Sequence, residues 1–257
     1  MRIRPCIDLH NGQVKQIVGS TLSDENPERL QTNFVAEQSP AWFAELYRGD
    51  DLRGGHIIKL GPSNEQAARE ALAAWPGGMQ IGGGVTADNG ADWLAAGASH
   101  VIVTSHVFRD GLIDRTRLAR LVQMVGRTRL VLDLSCRRRG DEYVIVTDRW
   151  QKFTSVVITE AVLADLAASC DEFLIHAADV EGQCRGIEQD LVEKLANWSP
   201  IVTTYAGGVR HLADLDLIRT LGQGRIDATV GSALDIFGGH TITYDEAVAF
   251  HRRQGHG

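Results

Sequence analysis

The sequence predicts an α/β protein folded as a single (β/α)8 barrel with an internal half-barrel repeat. Short apolar runs alternate with segments of helical periodicity along all 257 residues, and three motifs recur in order at one spacing. The runs are continuously apolar, which is typical of parallel strands buried on both faces. We therefore expect one domain over residues 1–257, with half-repeats of about 1–125 and 126–257.

Eight apolar runs are the predicted barrel strands, and six amphipathic segments are the predicted helices between them. The strands are expected at 3–7, 56–60, 79–81, 101–103, 130–132, 173–175, 201–205 and 226–230. The helices are expected at 65–74, 89–96, 116–125, 159–168, 189–198 and 212–221. Parallel strands joined by right-handed crossovers account for this alternation.

A ninth apolar run, 143–147, lies in the loop after the fifth predicted strand. It follows Arg137-Arg138-Arg139-Gly140-Asp141, and a Gly-Asp pair between two such segments is typical of a turn. We therefore expect a small hairpin in this loop. The three arginines are expected to be solvated, with contact to a phosphate as the alternative.

Charge and cysteine content exclude several classes of protein. The 26 basic and 33 acidic residues leave a net charge of −7, so no basic surplus indicates nucleic acid or an anionic membrane as partner. No apolar run approaches the ~18 residues of a membrane span, and the start of the chain has no signal-peptide pattern, so we expect a cytoplasmic protein. Cys6, Cys136, Cys170 and Cys184 are widely spaced, which argues against a disulfide framework or a metal cluster.

The chain has 27 glycines, above the usual share of about 7%, and the internal repeat explains several of them. The first half carries Ile7-Asp8-Leu9, Gly83-Gly84 and Thr104-Ser105, and the second carries Leu132-Asp133-Leu134, Gly207-Gly208 and Gly231-Ser232, about 125 residues later. Glycine at a strand end lets backbone N–H groups approach a ligand, and phosphate suits such a site. We expect two opposed phosphate sites made without Lys or Arg, and hence a bisphosphate ligand. Plain turns are the alternative.

Two aspartates, Asp8 and Asp133, occupy equivalent positions in the two halves. Each follows an apolar strand, and the carboxyl ends of barrel strands point into the mouth where active sites lie. Two carboxyls on opposite sides of one substrate suit a proton donor and a proton acceptor. Helix caps or ion pairs in the loops are the alternative roles.

The sixth predicted strand and the loop after the fifth add further candidates. His176, Asp179 and Glu181 lie in His-Ala-Ala-Asp-Val-Glu-Gly, directly after the sixth strand. Glu181 is a third acid–base candidate or a residue that orders the loop, and His176 fits a binding role and a structural role equally well. Trp150 is placed to stack on a flat ring, with loop packing as the alternative.

Six segments together resemble a known enzyme family. They are Cys-Ile-Asp-Leu-His-Asn-Gly-Gln-Val-Lys-Gln at 6–16, Gly-Gly-Gly at 82–84, Leu-Asp-Leu-Ser-Cys-Arg at 132–137, Phe-Leu-Ile-His-Ala-Ala-Asp-Val-Glu-Gly at 173–182, Ala-Gly-Gly at 206–208 and Gly-Ser-Ala-Leu-Asp-Ile-Phe at 231–237. The chain resembles phosphoribosylformimino-5-aminoimidazole carboxamide ribotide isomerase of histidine biosynthesis, in the form found in fungi and plants.

The resemblance implies a reaction and roles for three residues. The family uses no metal or cofactor, and its bisphosphate substrate carries an imidazole carboxamide. In its Amadori rearrangement an acid opens the ribose ring to a protonated Schiff base, and a base then removes the C2 proton, so that an aminoaldose becomes an aminoketose. By this resemblance Asp8 is the base, Asp133 is the acid and Trp150 stacks on the substrate. We expect a monomer that binds this small molecule.

Two positions depart from the pattern of bacterial family members. Val85-Thr86 stands where many of them have an arginine, so that contact is absent here or is supplied elsewhere. His176-Ala177 and Glu181-Gly182 replace a Thr-Asp and an Asp-Gly. Glu181 is therefore the alternative to Asp133 as proton donor.

Two other functions fit parts of the pattern. The sister cyclase of imidazole glycerol phosphate synthase also has strand-end aspartates and two phosphate sites, but the loop with Trp150 and the segment at 176–182 favour the isomerase. A non-catalytic barrel that binds a phosphorylated ligand would need the glycines alone, and Asp8 and Asp133 argue against it.

Overall fold

The computed structural model describes residues 1–18, 21 and 30–255, and strands alternate with helices along them. The strands are β1 (Cys6–His10), β2 (Gln13–Ile17), β3 (Thr32–Val35), β4 (Gly55–Lys59), β5 (Met79–Gly82), β6 (Val101–Val103), β7 (Phe108–Arg109), β8 (Leu112–Ile113), β9 (Leu130–Asp133), β10 (Cys136–Arg139), β11 (Glu142–Thr147), β12 (Lys152–Val157), β13 (Glu172–His176), β14 (Val202–Ala206) and β15 (Ile226–Thr229). The helices are α1 (Pro40–Gly49), α2 (Glu65–Ala74), α3 (Gly90–Ala95), α4 (Arg115–Val125), α5 (Glu160–Ala167), α6 (Gln189–Trp198), α7 (Leu212–Leu221) and α8 (Tyr244–Arg253).

Eight parallel strands form a closed barrel. They are hydrogen-bonded in the order β1, β4, β5, β6, β9, β13, β14 and β15. The N–H of Arg4 donates to the carbonyl of Ala228 at 2.8 Å, and the N–H of Ala228 donates to Arg2 at 3.0 Å. These bonds join the last strand to the residues before β1, so the sheet closes and the predicted (β/α)8 barrel is confirmed.

Burial on both faces of the sheet explains the continuous apolar runs. Ile7 and Ile57 are fully buried in the main core of the protein, whereas Ile102, Val131 and Leu174 form a separate buried cluster with Ala206. Each buried aliphatic side chain of this size stabilises the fold by about 1.5–3 kcal/mol.

A polar cluster lies at the amino-terminal ends of the barrel strands and was not predicted. The guanidinium of Arg4 pairs with Asp227 (Nε to Oδ2, 2.9 Å) and with Glu172 (Nη2 to Oε1, 3.4 Å), and Gln80 donates to the other oxygen of Glu172 at 2.8 Å. All four side chains are buried. The cluster ties the start of the chain to residues more than 160 positions away.

All six predicted helices are present, with ends that agree within one residue. Two helices were missed. Helix α1 begins at Pro40, and the hydroxyl of Ser39 accepts a hydrogen bond from the N–H of Trp42 at 3.2 Å. Helix α8 begins after Thr243, which forms a capping box with Glu246. None of the helices in the ranges given above is long and apolar enough to cross a lipid bilayer.

The first strand lies further along the chain than its apolar run predicted. It begins at Cys6 rather than at residue 3, because Pro5 has no N–H and Ile3 makes one isolated bridge to Ala228. Asp8 therefore lies within β1 rather than after it. A left-handed turn at Asn11-Gly12 then leads into β2, which pairs antiparallel with β1 and was also missed.

The hairpin predicted in the loop after the fifth barrel strand is present. Strands β10 and β11 pair across the Gly140-Asp141 turn, and β12 adds an unpredicted third strand. The N–H of Ser155 on β12 donates to the carbonyl of Gly111 at 2.8 Å, which attaches the small sheet to the turn between β7 and β8. This contact fixes the sheet that carries Trp150.

Candidate functional site

Three cavities open at the carboxyl ends of the barrel strands. One of about 680 Å³ is lined by Lys59, Gly83, Gly84, Ser105 and Arg149 among others and contains none of the predicted acid–base residues. The other two contain those residues and are named the large and the small cavity for their sizes relative to each other. The large cavity, about 380 Å³, is lined by nine of the predicted site residues, namely Asp8, Gly83, Gly84, Thr104, Ser105, Asp133, Trp150, His176 and Glu181. The small cavity, about 30 Å³, is lined by Asp8, His176 and Glu181 together with Gly207, Gly208, Gly231 and Ser232. Three titratable side chains therefore lie where the two cavities meet.

Asp8 is half-buried, and its carboxyl has a strongly altered acidity. Burial and the negative charge of Glu181 raise its pKa to about 7, against the opposing effects of His176 and Gln16. The amide Nε2 of Gln16 donates to Oδ2 of Asp8 at 3.3 Å. A carboxyl with this pKa exchanges protons readily near neutral pH.

The environment of Asp133 stabilises an ionised carboxylate, unlike that of Asp8, although the internal repeat places the two aspartates at equivalent positions. Its Oδ1 accepts hydrogen bonds from the N–H and the hydroxyl of Ser135 at 2.8 and 2.6 Å, and its Oδ2 accepts one from the hydroxyl of Thr104 at 3.2 Å. Burial alone would raise its pKa, but the charge of His176 and the two hydrogen bonds from Ser135 lower it. Asp133 is therefore a fixed carboxylate at neutral pH.

His176 is a buried cation at the end of β13. Its Nδ1 lies 3.6 Å from Oδ1 of Asp133, an ion pair too long for a hydrogen bond. Burial opposes protonation, but Asp133, Glu181 and Asp8 together raise the pKa of His176 to about 9. The Trp150 ring lies 5.6 Å from the His176 ring, centroid to centroid. The cation and an aromatic face thus line the same cavity.

Glu181 lies in the loop after β13 and lines both cavities. Burial raises the pKa of its carboxyl, and His176 opposes this rise. Gly207 passes so close that a Cβ on it would lie 3.2 Å from Oε2 of Glu181. Glu181 and Asp8 thus form a pair of carboxyls whose raised pKa values favour keeping a proton.

The two glycine groups have the conformations that the strand ends require. We call Gly83, Gly84, Thr104 and Ser105 the first cradle, and Gly207, Gly208, Gly231 and Ser232 the second cradle. The φ angles of Gly83, Gly84, Gly207 and Gly208 are all positive, from 71° to 119°. A Cβ on Gly83 would lie 2.1 Å from the Lys59 carbonyl, whereas one on Gly84 would meet no protein atom within 4 Å. Gly83 is thus required for packing, and Gly84 faces open space.

Several hydroxyls of the cradles already have partners in the protein. The hydroxyl of Thr104 donates to Asp133, and the hydroxyl of Ser105 accepts a hydrogen bond from the N–H of Asp148 at 2.9 Å. The second of these bonds holds the turn that carries Trp150, in which residues 148–150 all have left-handed φ angles between 51° and 66°. The first cradle is therefore connected to the aromatic wall of the cavity.

Asp179 is the one predicted site residue that lines neither cavity. Its carboxylate accepts hydrogen bonds from Nε of Arg137 at 2.7 Å and from the N–H of Arg138 at 2.8 Å. These contacts anchor β10. Arg137 is consequently paired with Asp179 rather than solvated in a loop.

Polar side chains that the sequence did not single out also line the cavities. They include Gln16, Lys59 and Arg149 in the large cavity and His56 in the small one. Lys59 and Arg149 lie beside the first cradle, which the expectation of sites without Lys or Arg did not include, whereas the described residues that line the small cavity at the second cradle include neither type. Lys59 is buried, with its ammonium 4.1 Å from the Trp93 ring centroid and 3.6 Å from Glu65. Its position at the carboxyl end of β4 was the signal available.

One group of potential metal ligands occurs away from the cavities. His100, Asp171 and Glu172 have ligand atoms within 4.8 Å of one another, at the amino-terminal end of β13. Glu172 is already paired with Arg4 and bound by Gln80. The group does not contribute to the chemistry at the mouth.

The fold and the cavities define a (β/α)8-barrel protein with carboxyl groups and a charged histidine in cavities at the carboxyl ends of its strands. The chain matches the family model described as histidine biosynthesis protein over residues 2–241 and belongs to that family.

Curated relatives are similar along nearly the whole chain. A chloroplastic protein of Medicago truncatula is 52% identical over 99% of this chain and 83% of its own length, and one of Neurospora crassa is 50% identical over 98% and 99%. One of Saccharomyces cerevisiae is 43% identical over 97% and 98%. Each is named 1-(5-phosphoribosyl)-5-((5-phosphoribosylamino)methylideneamino)imidazole-4-carboxamide isomerase. The predicted resemblance to the fungal and plant isomerases of histidine biosynthesis is confirmed, and the cyclase alternative is not supported.

Proposed function

We propose that the protein converts phosphoribosylformimino-5-aminoimidazole carboxamide ribotide, an aminoaldose, into its phosphoribulosyl ketose form. The observation that carries this proposal is the pair of carboxyls with raised pKa values, Asp8 and Glu181, at the junction of two glycine-lined cavities. The names of the relatives support the same reaction.

The two cradles suit the two ends of a bisphosphate. Backbone N–H groups at the glycines donate to phosphate oxygens, and glycine permits that close approach. Lys59 and Arg149 add positive charge beside the first cradle. A protein with a net charge of −7 thereby acquires local sites for anions.

Asp8 is the base in this proposal. Ring opening leaves a protonated Schiff base at C1 of the sugar, which makes the proton on C2 acidic. Asp8 removes that proton, and the electron pair of the C–H bond forms the enolamine. A carboxylate whose pKa is about 7 is a far better proton acceptor than an ordinary aspartate and is still ionised in a large fraction of molecules at neutral pH.

The environment favours Glu181 over Asp133 as the proton donor. Ring opening needs an acid that protonates the ring oxygen while the C1–O bond breaks. The pKa of Glu181 is raised, whereas that of Asp133 is lowered and its carboxylate oxygens already accept three hydrogen bonds. When Asp8 and Glu181 are both ionised they repel each other, so the pair tends to hold one proton.

Asp133 and His176 act together in this proposal. Asp133 keeps His176 charged, and the imidazolium donates to an oxygen of the opened sugar or of the carboxamide. Trp150, on the same cavity wall, stacks on the imidazole ring of the substrate.

A spectrophotometric assay with the aminoaldose ribotide tests the proposal. The wild-type protein should convert it to the ketose without added metal, cofactor or glutaminase, and Asp8→Asn should still bind it with little turnover. If the protein instead needs a glutaminase and releases imidazole glycerol phosphate, it is the cyclase. Binding without any spectral change would indicate a non-catalytic barrel.

Four further expectations stay predictions from the sequence. They are a monomeric state, a cytoplasmic location, a single domain of two half-repeats, and a bisphosphate as the ligand. Size-exclusion chromatography with light scattering tests the first. One plant relative is named as chloroplastic, so location is a property to determine for each organism.

A further inference from the structure

Gln16, on β2, contacts both the proposed base and the second cradle. Its Nε2 donates to Oδ2 of Asp8 at 3.3 Å, and its Oε1 accepts a hydrogen bond from the hydroxyl of Ser232 at 3.2 Å. Nε2 also lies 3.8 Å from Sγ of Cys6. The side chain is only 2% exposed. A buried amide that satisfies both of its ends in this way is held in one position.

The chemistry of the neighbours fixes the orientation of the amide. When Asp8 is ionised its carboxylate accepts hydrogen bonds only, so the NH2 group then faces Asp8, and the carbonyl is left for the hydroxyl of Ser232. Gly231 leaves the room that the carbonyl occupies, because a Cβ there would lie 2.5 Å from Oε1 of Gln16. A rotated amide would set Oε1 against Oδ2 of Asp8, two acceptors facing each other.

We infer that Gln16 is a positioning residue that holds Asp8 in its ionised, reactive orientation and links it to phosphate bound at the second cradle. This inference rests on the proposed role of Asp8 as the base. The link works through the single hydroxyl proton of Ser232. That proton goes either to Oε1 of Gln16 or to a phosphate oxygen, so phosphate at the cradle and the Gln16 amide compete for it.

The response of the Asp8 pKa to removal of Gln16 depends on the other titratable groups around Asp8. The titratable side chains that line the same two cavities are Glu181, His176, His56, His106, Cys6, Cys184, Lys59, Arg149 and Asp133. Burial and Glu181 raise the pKa of Asp8, and of the remaining groups His176 and Gln16 lower it. Loss of the Gln16 donor therefore raises the pKa of Asp8 further. Because the base must be ionised, the acidic limb of the rate profile moves to higher pH.

The test uses Gln16→Met, which keeps the length of the side chain and removes both polar ends. In kcat/KM measured against pH, the acidic limb should move up by about one pH unit or more, so that kcat/KM at pH 6 falls about tenfold or more. Inhibition by inorganic phosphate should not weaken, because the Ser232 hydroxyl becomes free for it. If inorganic phosphate inhibits Gln16→Met less than it inhibits the wild type, and the acidic limb of kcat/KM does not move, the inference is overturned and Gln16 is a binding residue only.

A second measurement does not depend on activity. The carbon-13 resonance of the Asp8 carboxyl, assigned by its loss in Asp8→Asn, should titrate at higher pH in Gln16→Met and in Gly231→Ala, whose new methyl displaces the amide. Gln80→Met is the matched control, because it removes a buried amide at the opposite end of the barrel and should leave the Asp8 titration unchanged. An Asp8 titration that is unchanged in Gly231→Ala, or in a folded Gln16→Met, contradicts the inference even if the isomerase assay succeeds. If that assay fails while the titration moves, the proposed function is wrong but the contact is real.

Discussion

Replacing His176 by glutamine removes the cation that pairs with the buried carboxylate of Asp133. The ring nitrogen and the carboxylate oxygen lie 3.6 Å apart, and both side chains are about nine-tenths buried. Glutamine keeps a polar side chain at the end of β13 but carries no charge. The variant therefore isolates what the ionisation of His176 contributes to folding.

The size of the effect follows from the pKa of His176. Its rise from 6.5 to about 9 corresponds to about 3 kcal/mol of folding free energy in favour of the protonated form. Because the pKa in the folded protein is above that in the unfolded chain, this stabilisation is fully present below about pH 6.5. It is lost as the pH rises through about 9.

Urea unfolding of wild type and His176→Gln at pH 6.5 and pH 10 measures this contribution. The wild type should be more stable by about 3 kcal/mol at the lower pH, with most of that difference gone at the higher one. His56→Gln is the matched control: burial and the charge of His176 lower the pKa of His56 to about 3, so it stays neutral across this interval. A difference between wild type and His176→Gln that is as large at pH 10 as at pH 6.5 would refute the ion pair.

Three further predictions concern packing, stability and binding. Gly83→Ala should prevent stable folding because its Cβ meets the Lys59 carbonyl, whereas Gly84→Ala should cost about 1–2 kcal/mol of stability and raise KM, as calorimetry and steady-state kinetics would show. Arg4→Met should lower the free energy of unfolding by about 3–5 kcal/mol in urea titrations while leaving kcat unchanged where the variant is folded. Trp150→Ala should raise KM about three- to tenfold and Trp150→Phe much less, since a phenyl ring still stacks. Equal KM values for these two variants would exclude stacking.

The barrel could be predicted because its determinants are local. Each strand is a short apolar run buried on both faces, and each predicted helix has one apolar stripe, so periodicity alone located them. The missed elements also had local signals. Asn11-Gly12 is typical of a hairpin turn, and Ser39-Pro40 and the Thr243 to Glu246 spacing are typical of helix starts.

The difference between Asp8 and Asp133 could not be predicted from their equivalence. Ser135 and Thr104 donate to Asp133, but the corresponding positions near Asp8 are His10 and Gly231, which cannot make the same bonds. The asymmetry lies in the residues around each motif, because the motifs themselves are alike in the two halves. The acidity of each carboxyl depends on groups brought together by the closed barrel.

The polar clusters inside the barrel could not be predicted from sequence patterns, for a related reason. Alternation on β2 places Gln16 on the same buried face as Val14, but it gives no sign that the amide meets Ser232, which lies 216 positions away. Arg4 pairs with Glu172 across 168 positions. No local rule links such residues, because only closure of the barrel makes them neighbours.

The central claim, that Glu181 and not Asp133 supplies the proton for ring opening, is tested most directly by the pH dependence of turnover in Glu181→Gln, with Asp133→Asn alongside. Glu181→Gln should lose about 10²- to 10⁴-fold in kcat with little change in KM, and the alkaline limb of its profile should disappear. Asp133→Asn should lose less and keep that limb. Near wild-type turnover in Glu181→Gln, together with loss of the limb in Asp133→Asn, would contradict the account and return the donor role to Asp133.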